Sequence, residues 1–314
     1  MSDALPTAPL FDALSDAALA RSLDGDFTSH HAHVNGVRLH YVEGGAGEPL
    51  FLLGGWPQTW WQWHKVMPAL ARRYRVIAVD LRGMGGSAQP ADGYDKKTMA
   101  RDIRELARLL GLDAIHIAGH DIGAMVAYAF AANHPEATLK ISLLDVPHPD
   151  RGWADMGLLP EPDQHVEGVI EAGPRSYLWW FAFNQVRGLP EQLLDGRTRL
   201  LVDWLFDRQA KDPADIDEHS RQVYTRAYST ADAIRAGNDW YRTFNRDIAD
   251  AATYAPVDAP ILALGGDESN YAYLRDLMPT KGTDVRVVRV DACGHYVPEE
   301  QPQAVIDELV AFLG

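Results

Sequence analysis

Between residues 114 and 132 a short apolar run, Ala114-Ile115-His116-Ile117-Ala118, leads through Gly119-His120-Asp121-Ile122-Gly123 into a stretch of small and apolar residues from Ala124 to Ala132. Such a run reads as a buried strand entering a helix through one tight turn. The turn forces its central residue into strained backbone geometry. Glycines two positions before and two after let strand and helix approach closely, which is where Gly119 and Gly123 stand. Asp121 is then lifted above a sheet edge at a helix N-terminus, whose dipole favours an anion.

An aspartate in this place brings its own carbonyl, so its natural partner is an sp3 carbon bearing a leaving group. Attack leaves an alkyl ester on the protein. Water must then hydrolyse that ester at the aspartate carbonyl carbon, with a general base and with donors facing an oxyanion. A Gly-x-Asp-x-Gly met by chance is the bland alternative, and further residues weigh against it.

The strand-like run Val285 to Val290 is followed by Asp291-Ala292-Cys293-Gly294-His295 before the helical stretch Pro302 to Leu313. A loop histidine after the last strand suits the base, so His295 is preferred for its position. Among the 12 histidines, His64, His116, His120 and His148 read as solvated or structural. After Phe51-Leu52-Leu53 comes Gly54-Gly55-Trp56-Pro57, where the N–H of Trp56 and that of Ile122 could form an oxyanion hole; an ordinary Gly-Pro turn is the alternative. For the acid that orients His295, Asp145 follows the sixth strand, while Asp267 and Glu268 follow the seventh.

Strands near His33 to Val34, Val37 to Val42, Leu50 to Leu53, Val76 to Val79, Ile115 to Ala118, Ile141 to Leu144, Ile261 to Leu264 and Val285 to Val290 alternate with helices. This rhythm implies a mostly parallel eight-stranded α/β sheet covered on both faces. Residues 1 to about 30 read as a helical or irregular extension. Between Pro147 and Asp247 the rhythm breaks into a helical, aromatic-rich insertion, read as a lid over the C-terminal edge of the sheet. The expected division is core over 1–147, lid over 148–247 and core over 248–314.

With 314 residues, 46% hydrophobic and 23% charged, the chain can bury a large core. Its net charge of −15 argues against nucleic acid or an anionic membrane as partner. One cysteine, Cys293, excludes an internal disulfide and reads as a small buried residue. Met1-Ser2-Asp3-Ala4-Leu5-Pro6 has no basic region, and no apolar run is long enough to span a bilayer, so a cytoplasmic location is expected.

Taken together, the elbow Gly119-His120-Asp121-Ile122-Gly123, the loop Trp56-Pro57-Gln58, Asp80-Leu81-Arg82-Gly83, Gly294-His295 and the lid segment Trp240-Tyr241-Arg242 resemble the epoxide hydrolases of the α/β-hydrolase fold from about residue 34 onward. One departure is Gly54, where the family usually has histidine. The resemblance implies an epoxide opened to a vicinal diol through an aspartyl ester, with neither metal nor other cofactor. The implied partners are a mainly apolar epoxide and water; a homodimer stays open. It favours Asp145 as the acid, since relatives with the acid after the sixth strand have it at about this spacing.

Tyr241 matches the lid tyrosine that protonates the epoxide oxygen, with Tyr177 and Tyr228 as other lid phenols. The second lid donor of the family falls at Trp180, which can donate an N–H bond but cannot supply a proton, and which with Phe181 forms a substrate-binding wall. Haloalkane dehalogenases carry a tryptophan just after the nucleophile, and fluoroacetate dehalogenases carry arginines one and four positions after it. Here Ile122 and Met125 stand there. A dehalogenase and a ligand-binding protein with a decayed site are the alternatives. Which epoxide is opened, and with what selectivity, is not written in the sequence.

Overall fold

A computed structural model describes residues 13–155 and 178–314. Its eight strands, β1 (Thr28–Val34), β2 (Val37–Gly44), β3 (Glu48–Leu53), β4 (Tyr74–Asp80), β5 (Ile115–His120), β6 (Thr138–Leu144), β7 (Ile261–Gly266) and β8 (Val285–Val290), form one sheet in the order β1-β2-β4-β3-β5-β6-β7-β8. Only β2 runs against its neighbours. From β4 across to β8 every pairing is parallel. The first strand begins at Thr28, earlier than the sequence pattern suggested, and the helix Asp16–Ser22 precedes it. Polar residues at this edge hid the strand: of its seven residues only Ala32 and Val34 are buried, so no apolar run announces it.

Alternation along the central strands places side chains on both faces of the sheet. Phe51, Leu53, Ile77, Val79 and Ile117 join one apolar cluster, and Leu50, Leu52, Val76, Ala78 and Ala118 join the other. The helix Ile122–Asn133 is apolar all round because it is enclosed: Ile122 through Ala131 are buried.

The chain places β4 on one side of β3 and β5 on the other, so the strand order reverses at β3. Open α/β sheets bind ligands at such a reversal, outside the carboxyl ends of the strands. Leu53 is paired with Gly119 and His120 with Leu144, which brings the loops after β3, β5 and β6 side by side.

Between β6 and β7 stand the described helices Trp179–Gln185, Leu189–Leu194, Thr198–Gln209, Glu218–Ala227, Ala231–Arg242 and Phe244–Ala251. Their tie to the sheet layer is both apolar, since Leu201, Trp240 and Phe244 join the cluster of Trp56 and Ile122, and polar. Lys96 is fully buried at the start of the helix Lys96–Leu109; its Nζ donates to Asp247 (2.9 Å) and to the carbonyl of Trp240 (2.6 Å), and its backbone N–H donates to Asp247 (2.8 Å). Trp240 Nε1 donates to the carbonyl of Arg82 (3.0 Å), whose guanidinium is forked onto Asp102 at 2.6 Å. Breaking a buried pair from one side strands the other charge, which costs about 3–5 kcal/mol. Lys96→Met should lower stability by that order in urea unfolding, and the double change Lys96→Met with Asp247→Leu should recover most of the loss.

Candidate active site

Asp121 occupies the turn between β5 and the helix Ile122–Asn133 with φ 52° and ψ −122°. Non-glycine residues reach that region only where their surroundings enforce it. Those surroundings are tight: a Cβ on Gly119 would lie 2.1 Å from the carbonyl of Gly123, and one on Gly123 would lie 2.2 Å from the carbonyl of Leu53. One carboxylate oxygen, Oδ1, accepts the N–H of Trp56 at 2.9 Å, and the neighbouring N–H of Ile122 also favours the charged carboxylate. The other oxygen, Oδ2, lies 3.7 Å from Nε2 of His295.

His295 follows β8, and its Nδ1 is 2.7 Å from Oδ2 of Asp145. Asp145, buried at φ 62° directly after β6, also accepts from Gly266 N, Ser269 Oγ and both nitrogens of Asn270. The later acids are engaged elsewhere: Asp267 accepts from Cys293 N, and Glu268 pairs with Lys211. Burial disfavours the charged imidazolium of His295, but the hydrogen bond and charge of Asp145, then the charge of Asp121, outweigh it and hold its pKa above the ordinary range. For Asp121 burial dominates and raises the carboxyl, against the pull of His295 and the two N–H donors.

Over this pair sits Tyr241, on the inward face of the helix Ala231–Arg242 and 2% exposed. Its ring lies 5.4 Å from Trp56 and 5.3 Å from Phe181. Burial, followed by the charge of Asp121, pushes the Tyr241 phenol well above its ordinary pKa, so it keeps its proton. Tyr228 donates instead to the carbonyl of Gln58 (2.8 Å), and Tyr177 lies outside the described residues.

Several supporting groups were not legible as such in the sequence. Gln62 accepts the N–H of Gly55 at 2.9 Å, so an internal side chain holds the loop beside Gly54. His120 is buried, not solvated: its Nε2 lies 2.7 Å from the carbonyl of His295, and burial, then the neighbouring His295, hold its pKa well down. As a neutral ring it donates that proton to the His295 loop. His116 and His148 are buried too, bonded to Glu48 (3.0 Å) and to the carbonyl of Pro149 (2.9 Å), while the half-buried His64 stacks on Trp61 at 4.4 Å. Glu300 accepts the N–H groups of Gly294, Tyr296 and Lys211 at 2.8, 2.8 and 2.6 Å, fixing the backbone around His295. An acid five residues past the loop histidine was the available signal. Cys293 is buried, with its thiol pushed up mainly by that burial.

A strand-to-helix elbow, a histidine after the last strand and a helical insertion after β6 now stand together. A profile of the alpha/beta hydrolase fold matches residues 48–302. The chain belongs to this family. It is 34% identical over 306 residues to a soluble epoxide hydrolase of a Corynebacterium species, covering 91% of this chain and 97% of that one. A fluoroacetate dehalogenase of a Burkholderia species is 33% identical over 74% of this chain and 75% of its own. Among solved structures, the epoxide hydrolase CorEH without ligand superposes with a TM-score of 0.76 at 34% identity, over 91% of this chain and 98% of that one.

Gly55 faces Asp121 so closely that an added Cβ would stand 2.4 Å from the Asp121 Cβ. Gly55→Ala should therefore part the Trp56 loop from the carboxylate. Losing one such donor typically costs about 10²- to 10³-fold in turnover. A crystal structure of the variant should show the 2.9 Å contact of Trp56 N lengthened beyond hydrogen-bond range.

Proposed function

We propose that the protein is an epoxide hydrolase that opens an epoxide to a vicinal diol through an ester on Asp121. The observation that carries this reading is the division of labour between the two oxygens of Asp121, one against paired N–H groups and the other facing the site of His295. In the first step Oδ2 attacks a ring carbon, the carbon–oxygen bond of the ring breaks, and Tyr241 gives its proton to the departing oxygen. In the second, His295 takes a proton from water, and the hydroxide formed adds to the ester carbonyl carbon. The tetrahedral oxyanion then lies at Oδ1 against Trp56 and Ile122; its collapse breaks the bond from the carbonyl carbon to the alkyl oxygen, which leaves as the diol with the proton held by His295, while the proton of the regenerated Asp121 carboxyl returns to the Tyr241 phenolate.

Asp145 is the acid of this reading, holding the His295 tautomer and stabilising its imidazolium. Residues 148–247 are its lid, between core segments 1–147 and 248–314, and Trp180 and Phe181 form the apolar wall. The reaction as written needs only an epoxide and water. Among the described residues no helix is long and apolar enough to cross a membrane. The match to a fluoroacetate dehalogenase favours a dehalogenase as the second reading. Against it, Ile122 and Met125 are buried apolar residues that cannot bind a substrate carboxylate.

Attack on the ring needs no base, whereas ester hydrolysis does. His295→Gln should therefore accumulate an adduct of substrate mass on Asp121, seen by intact-mass spectrometry and peptide mapping. Asp145→Asn should slow release of that ester by about 10⁴-fold, as loss of the orienting acid does elsewhere, and Asp267→Asn should not. Absence of any adduct while wild type turns over would make Asp121 a general base. In a panel of neutral epoxides with 1-chlorobutane, 1,2-dibromoethane and fluoroacetate, halide release faster than diol formation would favour the second reading.

The two steps should also separate with pH. Attack requires ionised Asp121, whose carboxyl burial raises only from the carboxylate range, while hydrolysis requires neutral His295, held above the imidazole range by Asp145. Hydrolysis should thus fail first as pH is lowered, although esterification of Asp121 removes part of what raises His295. Between the two limbs wild-type protein quenched in turnover should carry the ester. An adduct fraction that does not rise on acidification would contradict this order.

A further inference from the structure

We infer that Glu299 is a positioning residue for the oxyanion hole: its carboxylate holds Gln58, which closes the turn carrying Trp56, and a proton on that carboxyl loosens the hold. This rests on the epoxide reading for what the turn does, though not for the link itself.

Glu299 is buried in the short helix Val297–Glu300, four residues past His295. Two side chains from different segments converge on its Oε1: Gln58 Nε2 donates at 3.3 Å from the loop after β3, and the Tyr224 hydroxyl donates from the helix Glu218–Ala227. The main chain of Gln58 frames the Trp56 turn. Its N–H donates to the carbonyl of Gly55 (2.9 Å), and its own carbonyl accepts the Tyr228 hydroxyl (2.8 Å). Trp56 stands inside that turn, with its N–H 2.9 Å from Oδ1 of Asp121. Gln58 has no exposed surface, so an amide that loses its acceptor on Glu299 must move to find another, and the turn moves with it.

The hold changes near neutral pH. Burial raises the Glu299 carboxyl to about 7, against the charge of Lys65 and the hydrogen bond of Tyr224, with the charge of Asp217 adding to the rise. Lys65 Nζ stands 3.4 Å from Oε2, but it is committed to the carbonyls of Glu299 and Asp215 at 2.8 and 2.5 Å. His64, 4.0 Å from Oε2, is pushed down to about 4 mainly by burial and is neutral. Tyr224 is pushed well up by burial, then by the charge of Glu299, and keeps its proton. On the helix of Tyr224, Glu218 and Arg221 turn to partners of their own, Arg199 and Asp203, while His219 sits against Trp61. Glu300 points its oxygens at the N–H groups of Gly294, Tyr296 and Lys211; the last helix brings Glu308, paired with Arg286, and the exposed Asp307, and β7 brings no ionisable side chain. Bonds to an ionised acceptor are about twice as strong as bonds to a neutral one, so protonation weakens the hold on Gln58 and Tyr224 together.

Glu299→Gln keeps an oxygen for Gln58 and Tyr224 but fixes the neutral state, so at every pH it should behave as the acid form of wild type. In single-turnover release of the Asp121 ester the two proteins should agree well below neutrality, and wild type should be faster by about fivefold well above it, the margin by which a bond to a charged group exceeds a neutral one. The ratio cancels the titration of His295, which both share. The link is also read without turnover. In the free protein an infrared carboxyl stretch should disappear as pH rises through about 7 and be absent from Glu299→Gln, and the Trp56 amide resonance should move with the same midpoint in wild type only. Gln58→Met, which keeps Glu299 but cuts its contact with the turn, should retain the infrared step and lose the Trp56 step; it decides alone should Glu299→Gln not fold. A ratio that is flat across pH overturns the inference, and so does a Trp56 resonance that moves alike in wild type and either variant. A Trp56 step that follows Glu299 in a protein that opens no epoxide upholds the link and sinks the proposed reaction instead.

Discussion

A carboxylate removed from water must be compensated on every side, and the site is organised around that demand at Asp121. Two backbone N–H groups face the carboxylate and an imidazole stands 3.7 Å from its second oxygen. Burial still raises its pKa, so the compensation is incomplete. A carboxylate left in that condition is a better nucleophile than a fully solvated one. The N–H groups that support the ground state are the ones that would receive the oxyanion of ester hydrolysis, and they are fixed before any substrate arrives.

Holding these groups in place is a matter of backbone contact more than of side-chain packing. Gly55, Gly119 and Gly123 stand where a Cβ would come within 2.4 Å of another atom, so the loops after β3 and β5 meet with nothing between them. Two acids carry the strain of this closeness, Asp121 at φ 52° and Asp145 at φ 62°. Each such residue costs on the order of 1–3 kcal/mol. The surroundings offset it by bonding: Asp145 is held by Gly266, Ser269, Asn270 and His295, and Asp121 by Trp56 and Ile122.

The fold was legible because its two periodicities are strong. The apolar runs in β3 to β8 gave the sheet, and glycines around Asp121 gave the elbow. What stayed hidden has a common cause. The edge strand β1 buries two residues of seven and so lacks a pattern. His120 acts through a carbonyl 175 residues away, and nothing in its own neighbourhood signals such a partner. Gln62 and Glu300 hold backbone N–H groups seven and six residues upstream across loops, to which neither the helical nor the strand period applies. Asp145 and Asp267 stand alike after successive strands, and only the resemblance favoured the first. Their surroundings differ because the loop after β7 folds its Ser269 and Asn270 toward the first, a choice made by tertiary contact.

The helices after β6 take part in this support as well as covering the site. His295 donates its backbone N–H to the carbonyl of Gln209 (2.8 Å), and a Cβ on Gly294 would lie 2.2 Å from that same oxygen. Glu300 joins the His295 loop to Lys211, while Lys96 joins the helix under Tyr241 to the sheet layer. Swinging Ala231–Arg242 away together with the following helix Phe244–Ala251, which carries Asp247, would separate the buried Lys96 from Asp247 and the carbonyl of Trp240, leaving charges without partners in an apolar setting. That cost keeps Tyr241 over Asp121 in the free protein. In the proposed reaction a donor fixed in this way loses little conformational entropy when the ring arrives.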